Sequence, residues 1–400
     1  MKEKFLSKMV EQQQLEKFAY ICLVVMAGLC AFSEAGSRNA VRVLLLVAAI
    51  GIALYPANID RIKQYKLMII GFISFFLVIT MSAVVAGNLA EAIDHNSYWY
   101  SYTALIAFAI PMLLRSKQKM YIVFFALMAS MLVSDIWIYW EWMQGTYRPD
   151  GPTHFVFNTA STYAVCVPVL LVLLLADKEI KYKWFIALSL LLGVLSLVFM
   201  NTRGAWFGAG VGCLSVVLLC YKSINRKYLA AFGIASVVLL GTVAVAIPHE
   251  AQRIVSLAEI ADENKHPGGE RHLLWEASVK MIKDYPLTGI GWGNFEEFYS
   301  QKYISPIARE RSHSTAHNTL LQIGAENGIF AMIVYVAVNI YMLVFAWKRR
   351  KSIYGVMMFS MIMAFQAYGT TFYLLNMFES MRVFWLCLGL SLAGMQMDEL

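Results

Sequence analysis

Arg271-His272-Leu273-Leu274-Trp275-Glu276 opens a polar island that closes at Gly324-Ala325-Glu326-Asn327-Gly328. Between the two lie Asp284-Tyr285-Pro286-Leu287-Thr288-Gly289-Ile290-Gly291-Trp292-Gly293 and His313-Ser314-Thr315-Ala316-His317-Asn318. On both sides the chain turns into repeated apolar runs, most of them at or above the roughly 17 residues that a membrane-crossing helix needs. This contrast decides the fold class: an all-α integral membrane protein that holds one polar segment at a bilayer face.

Composition supports that reading. Of 400 residues, 59% are hydrophobic and only 15% charged, where a soluble domain carries about 25% charged residues. All six cysteines fall inside apolar runs, so neither a disulfide framework nor a cysteine metal site is suggested. The net charge of +7 is spread over short loops and forms no basic face, which argues against nucleic acid as a partner and leaves membrane lipids.

Run length gives about twelve spans. They lie near Phe18–Phe32, Val41–Ala57, Leu67–Ala86, Tyr98–Leu114, Met120–Trp140, Ala160–Ala176, Trp184–Met200, Gly204–Tyr221, Leu229–Ile247, Thr319–Trp347, Ile353–Leu374 and Val383–Met395. No repeat or linker divides them, so residues 1–400 read as a single polytopic domain. Spans one to nine fall in 18–247, a large helical loop in 248–318, and spans ten to twelve in 319–395. Lysine and arginine concentrate in the N-terminal tail and in alternate loops, such as Arg61/Lys63/Lys66, Arg115/Lys117/Lys119 and Lys348/Arg349/Arg350/Lys351. By the positive-inside bias both termini are cytoplasmic. The long loop, the loops holding Arg148 and Arg203, and the histidines then face outward, where no ATP is available. A substrate must arrive there already activated.

Four positions could carry chemistry. Arg203, in Asn201-Thr202-Arg203-Gly204-Ala205-Trp206, sits at an outer membrane edge where the charge bias disfavours it. A boundary arginine snorkelling to headgroups is the ordinary alternative. Arg271 begins an amphipathic helix running to Asp284, with Leu274, Trp275, Ser278 and Met281/Ile282 as its less polar stripe. Two guanidinium forks on one membrane face can grip a diphosphate bidentately, although Arg271 could equally pair with Glu270 or Glu276. His317, four residues from His313, titrates near neutral pH and can serve as a general base. The spacing admits a metal pair, but no third ligand is evident, so no metal is assigned. Glu326 lies inside the tenth span and needs a partner, His317 or an arginine. The Gly289-x-Gly291-x-Gly293 run allows positive φ and reads as a turn lining a cleft, since it lacks the strand and the Lys-Ser/Thr of a phosphate loop.

Three of these features together resemble the O-antigen ligase family, which shares a domain with some O-antigen polymerases. They are Thr202-Arg203-Gly204-Ala205-Trp206; Arg271 and Trp275 followed by Asp284 to Gly293; and His317-Asn318, nine residues, then Gly328 entering a span. The family pattern ends Gly-x-x-Gly, and here Ala331 replaces the second glycine. The resemblance covers about residues 201–336. It implies a membrane glycosyltransferase of the GT-C type in the bacterial inner membrane, working without cofactor or metal and with inversion. The donor would be a glycan on undecaprenyl diphosphate and the acceptor lipid A-core. Arg203 and Arg271 would hold the diphosphate and His317 would activate the acceptor hydroxyl. Arg148, His313, Asn318, Glu326, Gly291 and Trp292 are the further residues expected around the substrates. An O-antigen polymerase is the alternative within this chemistry. A secondary transporter or lipid flippase is the alternative outside it, but would need interrupted spans paired by an inverted repeat.

Overall fold

The computed structural model describes residues 2–87, 89–90, 102–221 and 270–399. The expected ninth span, the first part of the long loop, and His95, His249 and His266 lie outside the described residues. Every regular element among the described residues is helical. In chain order the helices are α1 (Lys2–Leu29), α2 (Glu34–Leu54), α3 (Lys66–Val85), α4 (Tyr102–Leu113), α5 (Lys117–Met143), α6 (Val156–Leu175), α7 (Lys183–Phe199) and α8 (Arg203–Cys220). After the undescribed stretch come α9 (Arg271–Asp284), α10 (Phe295–Phe298), α11 (Thr319–Lys348), α12 (Ile353–Gly369) and α13 (Phe378–Asp398).

Among the described residues, 6 helical segments are long and apolar enough to cross a membrane: Ala35–Ile52, Lys63–Val85, Lys117–Met143, Val156–Leu175, Arg203–Cys220 and Thr319–Lys348. Thr103–Leu113, Lys183–Phe199 and Ile353–Gly369 are shorter apolar helices. The chain is a multi-pass helical membrane protein. Helix α6 is its axis: nearly every side chain from Val156 to Leu173 is buried, α7, α8, α12 and α13 pack around it, and its Tyr163 hydroxyl donates to Met131 O and Asp135 Oδ1 of α5.

Two packing devices position the outer face. The first is on α8, where Gly204, Gly208 and Gly212 recur every four residues on one face. Cβ atoms there would stand 2.9 Å from the Tyr368 ring, 2.7 Å from the Ala364 carbonyl and 2.8 Å from both Ala364 Cβ and the Pro168 ring, respectively. Small residues at this spacing let backbones approach closely, which is the main source of helix attraction in lipid. So α8 lies pressed against α12 and α6.

The second device is a break in α11. The sequence reads Thr319–Trp347 as one span, but Gly328 has φ 80 and ψ 179, which no helix accommodates. The part after the break, residues 329–348, covers about 30 Å and spans the hydrocarbon alone. The part before it is a separate arm. Helix α9 packs on α11 through Leu273, Leu274, Ala277, Ser278 and Met281. Trp275, expected on that stripe, is exposed instead. Leu274, Ala277, Met281, Ile290, Phe295, Tyr299, Ala316 and Ala325 close a small second core. It seats the polar island on the bundle.

Candidate functional site

The arginines stand where helix geometry least favours them. Arg203 is the first residue of α8 and Arg271 the first of α9. A cation at a helix N-terminus opposes the macrodipole by about 0.3–1 kcal/mol. Neither arginine forms an ion pair with an acidic side chain among the described residues. Burial is the main reason that the Arg271 guanidinium falls below its ordinary pKa. Tyr368 acts in the opposite direction, and the charges of Arg203 and Arg148 add to the lowering. Solvent still reaches Arg271, so it lies in an accessible but crowded basin. Arg148 completes the set: its Nη2 donates to Thr202 Oγ1 at 3.3 Å, next to Arg203. Its guanidinium also covers the Phe157 ring at 4.5 Å. Three cations and two helix starts therefore share one place, the ordinary make-up of an anion site.

His317 is held beside them by a strap, the connection 370–377 after α12. Asn318 Nδ2 donates to Thr370 O at 3.1 Å, Thr319 Oγ1 donates to Phe372 O at 2.9 Å, and Leu374 N donates to Thr319 Oγ1 at 3.1 Å. The Phe372 ring lies 5.4 Å from His317, 4.2 Å from Phe157 and 6.0 Å from Tyr368. An aromatic column thus joins the imidazole to the ring under Arg148. His317 itself has φ 50, and Asn201, two residues before Arg203, has φ 48. Left-handed backbone is costly for side chains of this size and gathers at functional sites. Burial first, then the charges of Arg271 and His313, push the His317 imidazole down to about 4. At neutral pH it is uncharged and able to accept a proton. Its Nδ1 is buried without a hydrogen-bond partner among the described residues.

The glycine turn helps to build this place. Ile290 N–H donates to Ala325 O and Gly291 N–H to Glu326 O, both at 2.9 Å, while Ile329 N–H donates to Pro286 O at 2.8 Å. The break in α11 frees the Ala325 and Glu326 carbonyls and the Ile329 N–H, and the turn pairs with all three. Gly289, Gly291 and Gly293 all have positive φ, as the sequence suggests. A Cβ on Gly289 would collide with the Glu326 carbonyl, and one on Gly328 with Leu287 O. The spacing from His317 to Gly328 therefore measures an arm clipped at its far end.

Several residues expected around the substrates also hold this clip and its surroundings. Glu326 is partnered neither by His317 nor by an arginine; its Oε1 accepts from Gly293 N–H at 3.0 Å. Gly291 and Trp292 are buried beside it. Asn318 caps α11, its Oδ1 accepting from Leu320 N and Leu321 N at 3.0 Å. His313 Nε2 lies 3.2 Å from Glu310 Oε2, and its ring stands 6.1 Å from that of His317. Arg148, Arg203, Arg271 and His317 stand together, with His313 beside His317. The sequence reading missed Tyr368 and Phe372, which sit in an apolar run with no polar signal. The four-residue repeat of glycines facing them was the available clue.

Beside the strap, an apolar cavity of about 230 Å³ opens between α3, α4, α11, α12 and α13. Phe72, Phe76, Phe108, Phe384 and Trp385 dominate its wall, and Gln366 and Leu375 join it to the elements that carry Tyr368 and Phe372.

Residues 187–336 match the family model described as O-antigen ligase. A protein of Haemophilus influenzae, described only as uncharacterized, is 21% identical over 313 residues, which is 74% of this chain and 76% of that relative.

Proposed function

We propose that this chain, which carries the O-antigen ligase family domain over residues 187–336, is a ligase transferring a glycan from undecaprenyl diphosphate to lipid A-core. The observation that carries the reading is the convergence of Arg148, Arg203 and Arg271 at two helix starts beside an uncharged His317. The membrane domain, residues 1–400, crosses the inner membrane about twelve times, with both termini cytoplasmic and the arginines periplasmic. This is a GT-C-like arrangement.

The reaction balances within these residues. The acceptor hydroxyl oxygen attacks the anomeric carbon of the donor sugar from the face opposite the diphosphate. The new C–O bond forms as the bond to the diphosphate oxygen breaks, and configuration inverts. The hydroxyl proton passes to Nε2 of His317, since Nδ1 is enclosed. Charge developing on the leaving oxygen is met by Arg203 and Arg271, with Arg148 behind them. The isoprenoid chain of the donor lies in the aromatic cavity beside the strap.

The test is a gel of lipopolysaccharide from cells lacking the gene, complemented with wild type or His317→Ala. Core bands without a ladder, together with long glycan left on the lipid carrier, are expected for the null and for His317→Ala. Core bearing a single repeat unit would assign the chain to polymerisation instead. An intact ladder in the null would defeat both readings and favour a transporter.

A further inference from the structure

Tyr368 is buried at the end of α12, and its hydroxyl has no hydrogen-bond partner among the described residues. Buried hydroxyls are almost always partnered. The surroundings of this one are unusual in three respects. A Cβ on Gly204, next to Arg203, would stand 2.9 Å from the Tyr368 ring, and one on Gly208 would stand 2.8 Å from Tyr368 Cβ. The ring is therefore gripped by the glycine face of α8. The other side of the ring meets Phe372 at 6.0 Å and an interplanar angle of 24°, in the column that reaches His317 and the ring under Arg148. Its hydroxyl also lies within electrostatic reach of both Arg148 and Arg271.

We propose that Tyr368 is a further anion-binding residue, whose hydroxyl donates a hydrogen bond to a diphosphate oxygen of the donor between Arg148 and Arg271. The inference rests on the diphosphate-donor reading above. The chemistry suits a phenol. Three guanidiniums supply charge, but charge alone does not fix which oxygen sits where. One short, neutral donor on a rigid ring supplies that directional contact without adding to the repulsion among the arginines. The hydroxyl is enclosed by its neighbours, so contact with the diphosphate requires them to move apart. The glycine stripe then has a second consequence besides packing: it places the ring so that its oxygen faces the arginines.

The experiment uses the purified full-length protein in detergent and farnesyl diphosphate as the probe, titrated by calorimetry. Tyr368→Phe keeps the ring and removes only the oxygen. Its dissociation constant is expected to rise about tenfold. Its melting temperature without probe should hold or rise, because an unpartnered buried hydroxyl is removed; a structural hydroxyl would lower it. In a second measurement, 3-fluorotyrosine at position 368 makes the hydroxyl a stronger donor and should tighten binding. If Tyr368→Phe binds within twofold of wild type while Arg271→Ala loses the probe, the inference is overturned and the donor reading stands. If Tyr368→Phe does not fold, unchanged affinity in the fluorinated protein overturns the inference. A wild-type protein that does not bind the probe defeats both.

Discussion

The environment of His317 leads to a pH profile that an ordinary histidine would not give. Its imidazole is pushed down to about 4 by burial, then by Arg271 and His313. A base works in its unprotonated form. At pH 6 a group titrating at about 4 is about 99% neutral, whereas one at its ordinary value of about 6.5 is only about 24% neutral. The profile of kcat/KM, which reports the free enzyme, should therefore be flat from about pH 5.5 upward. The bound donor changes this in a definite direction. One net negative charge about 6 Å away, at an effective dielectric constant of about 20, stabilises the imidazolium by about 2.8 kcal/mol, about two pH units. The acid limb of kcat, which reports the complex, should thus lie above that of kcat/KM. The assay is transfer from synthetic lipid diphosphate donor to purified acceptor between pH 4.5 and 8.5, with both parameters determined at each pH. A kcat/KM limb centred near 6.5 would refute the argument from burial. A kcat limb below that of kcat/KM would refute the placement of the diphosphate beside His317.

Two further substitutions test the scaffold. Gly208→Leu drives a side chain into the Ala364 carbonyl, 2.7 Å from the position of its Cβ, and should cost about 1–3 kcal/mol, seen as a lower melting temperature in detergent; Gly210→Leu, on the open side of α8, should be silent. Glu326→Gln keeps an acceptor for Gly293 N–H and should leave transfer close to wild type. Glu326→Ala should loosen the clip at a cost of about 1–3 kcal/mol, and loss of turnover in the Gln variant at unchanged melting temperature would mean that Glu326 handles a proton.

What could be read from the sequence follows from how each kind of information is written there. Membrane character, the start of α9 at Arg271 and its end before Pro286 depend on run length, charge and a helix breaker, all local in the chain. Arg148, Arg203, Arg271 and His317 stand out because charged or titratable groups at a membrane edge are costly and therefore conspicuous. The roles of Glu326, Gly291 and Trp292 depend instead on which backbone groups the turn meets. That is settled by the break at Gly328, and a glycine in an apolar run does not announce whether it bends, packs or breaks. Trp275 was misplaced for a related reason: a large apolar residue at helical spacing fits a buried stripe, but the adjacent Leu273 and Leu274 already fill the face against α11. Tyr368 and Phe372 were invisible because their importance lies in what α8 and His317 bring to them.

The arginine site should also be legible in stability. Arg203 and Arg271 open two helices, against both macrodipoles, and have no acidic partner among the described residues. The guanidiniums repel one another, and a bound anion relieves that repulsion. A diphosphate at a hundred times its dissociation constant stabilises the folded protein by about 2.7 kcal/mol, a rise of a few degrees in melting temperature. Replacing one arginine should have two effects of opposite sign. Arg203→Gln removes a charge from an unfavourable helix start, so the ligand-free protein should gain about 0.3–1 kcal/mol. The same variant should lose most of the shift produced by farnesyl diphosphate, because a bidentate partner is gone. A boundary arginine that only snorkels to headgroups predicts the reverse: a lower melting temperature without ligand and an undiminished shift with it. Melting curves of the two proteins, with and without the diphosphate, decide between them without any turnover being measured.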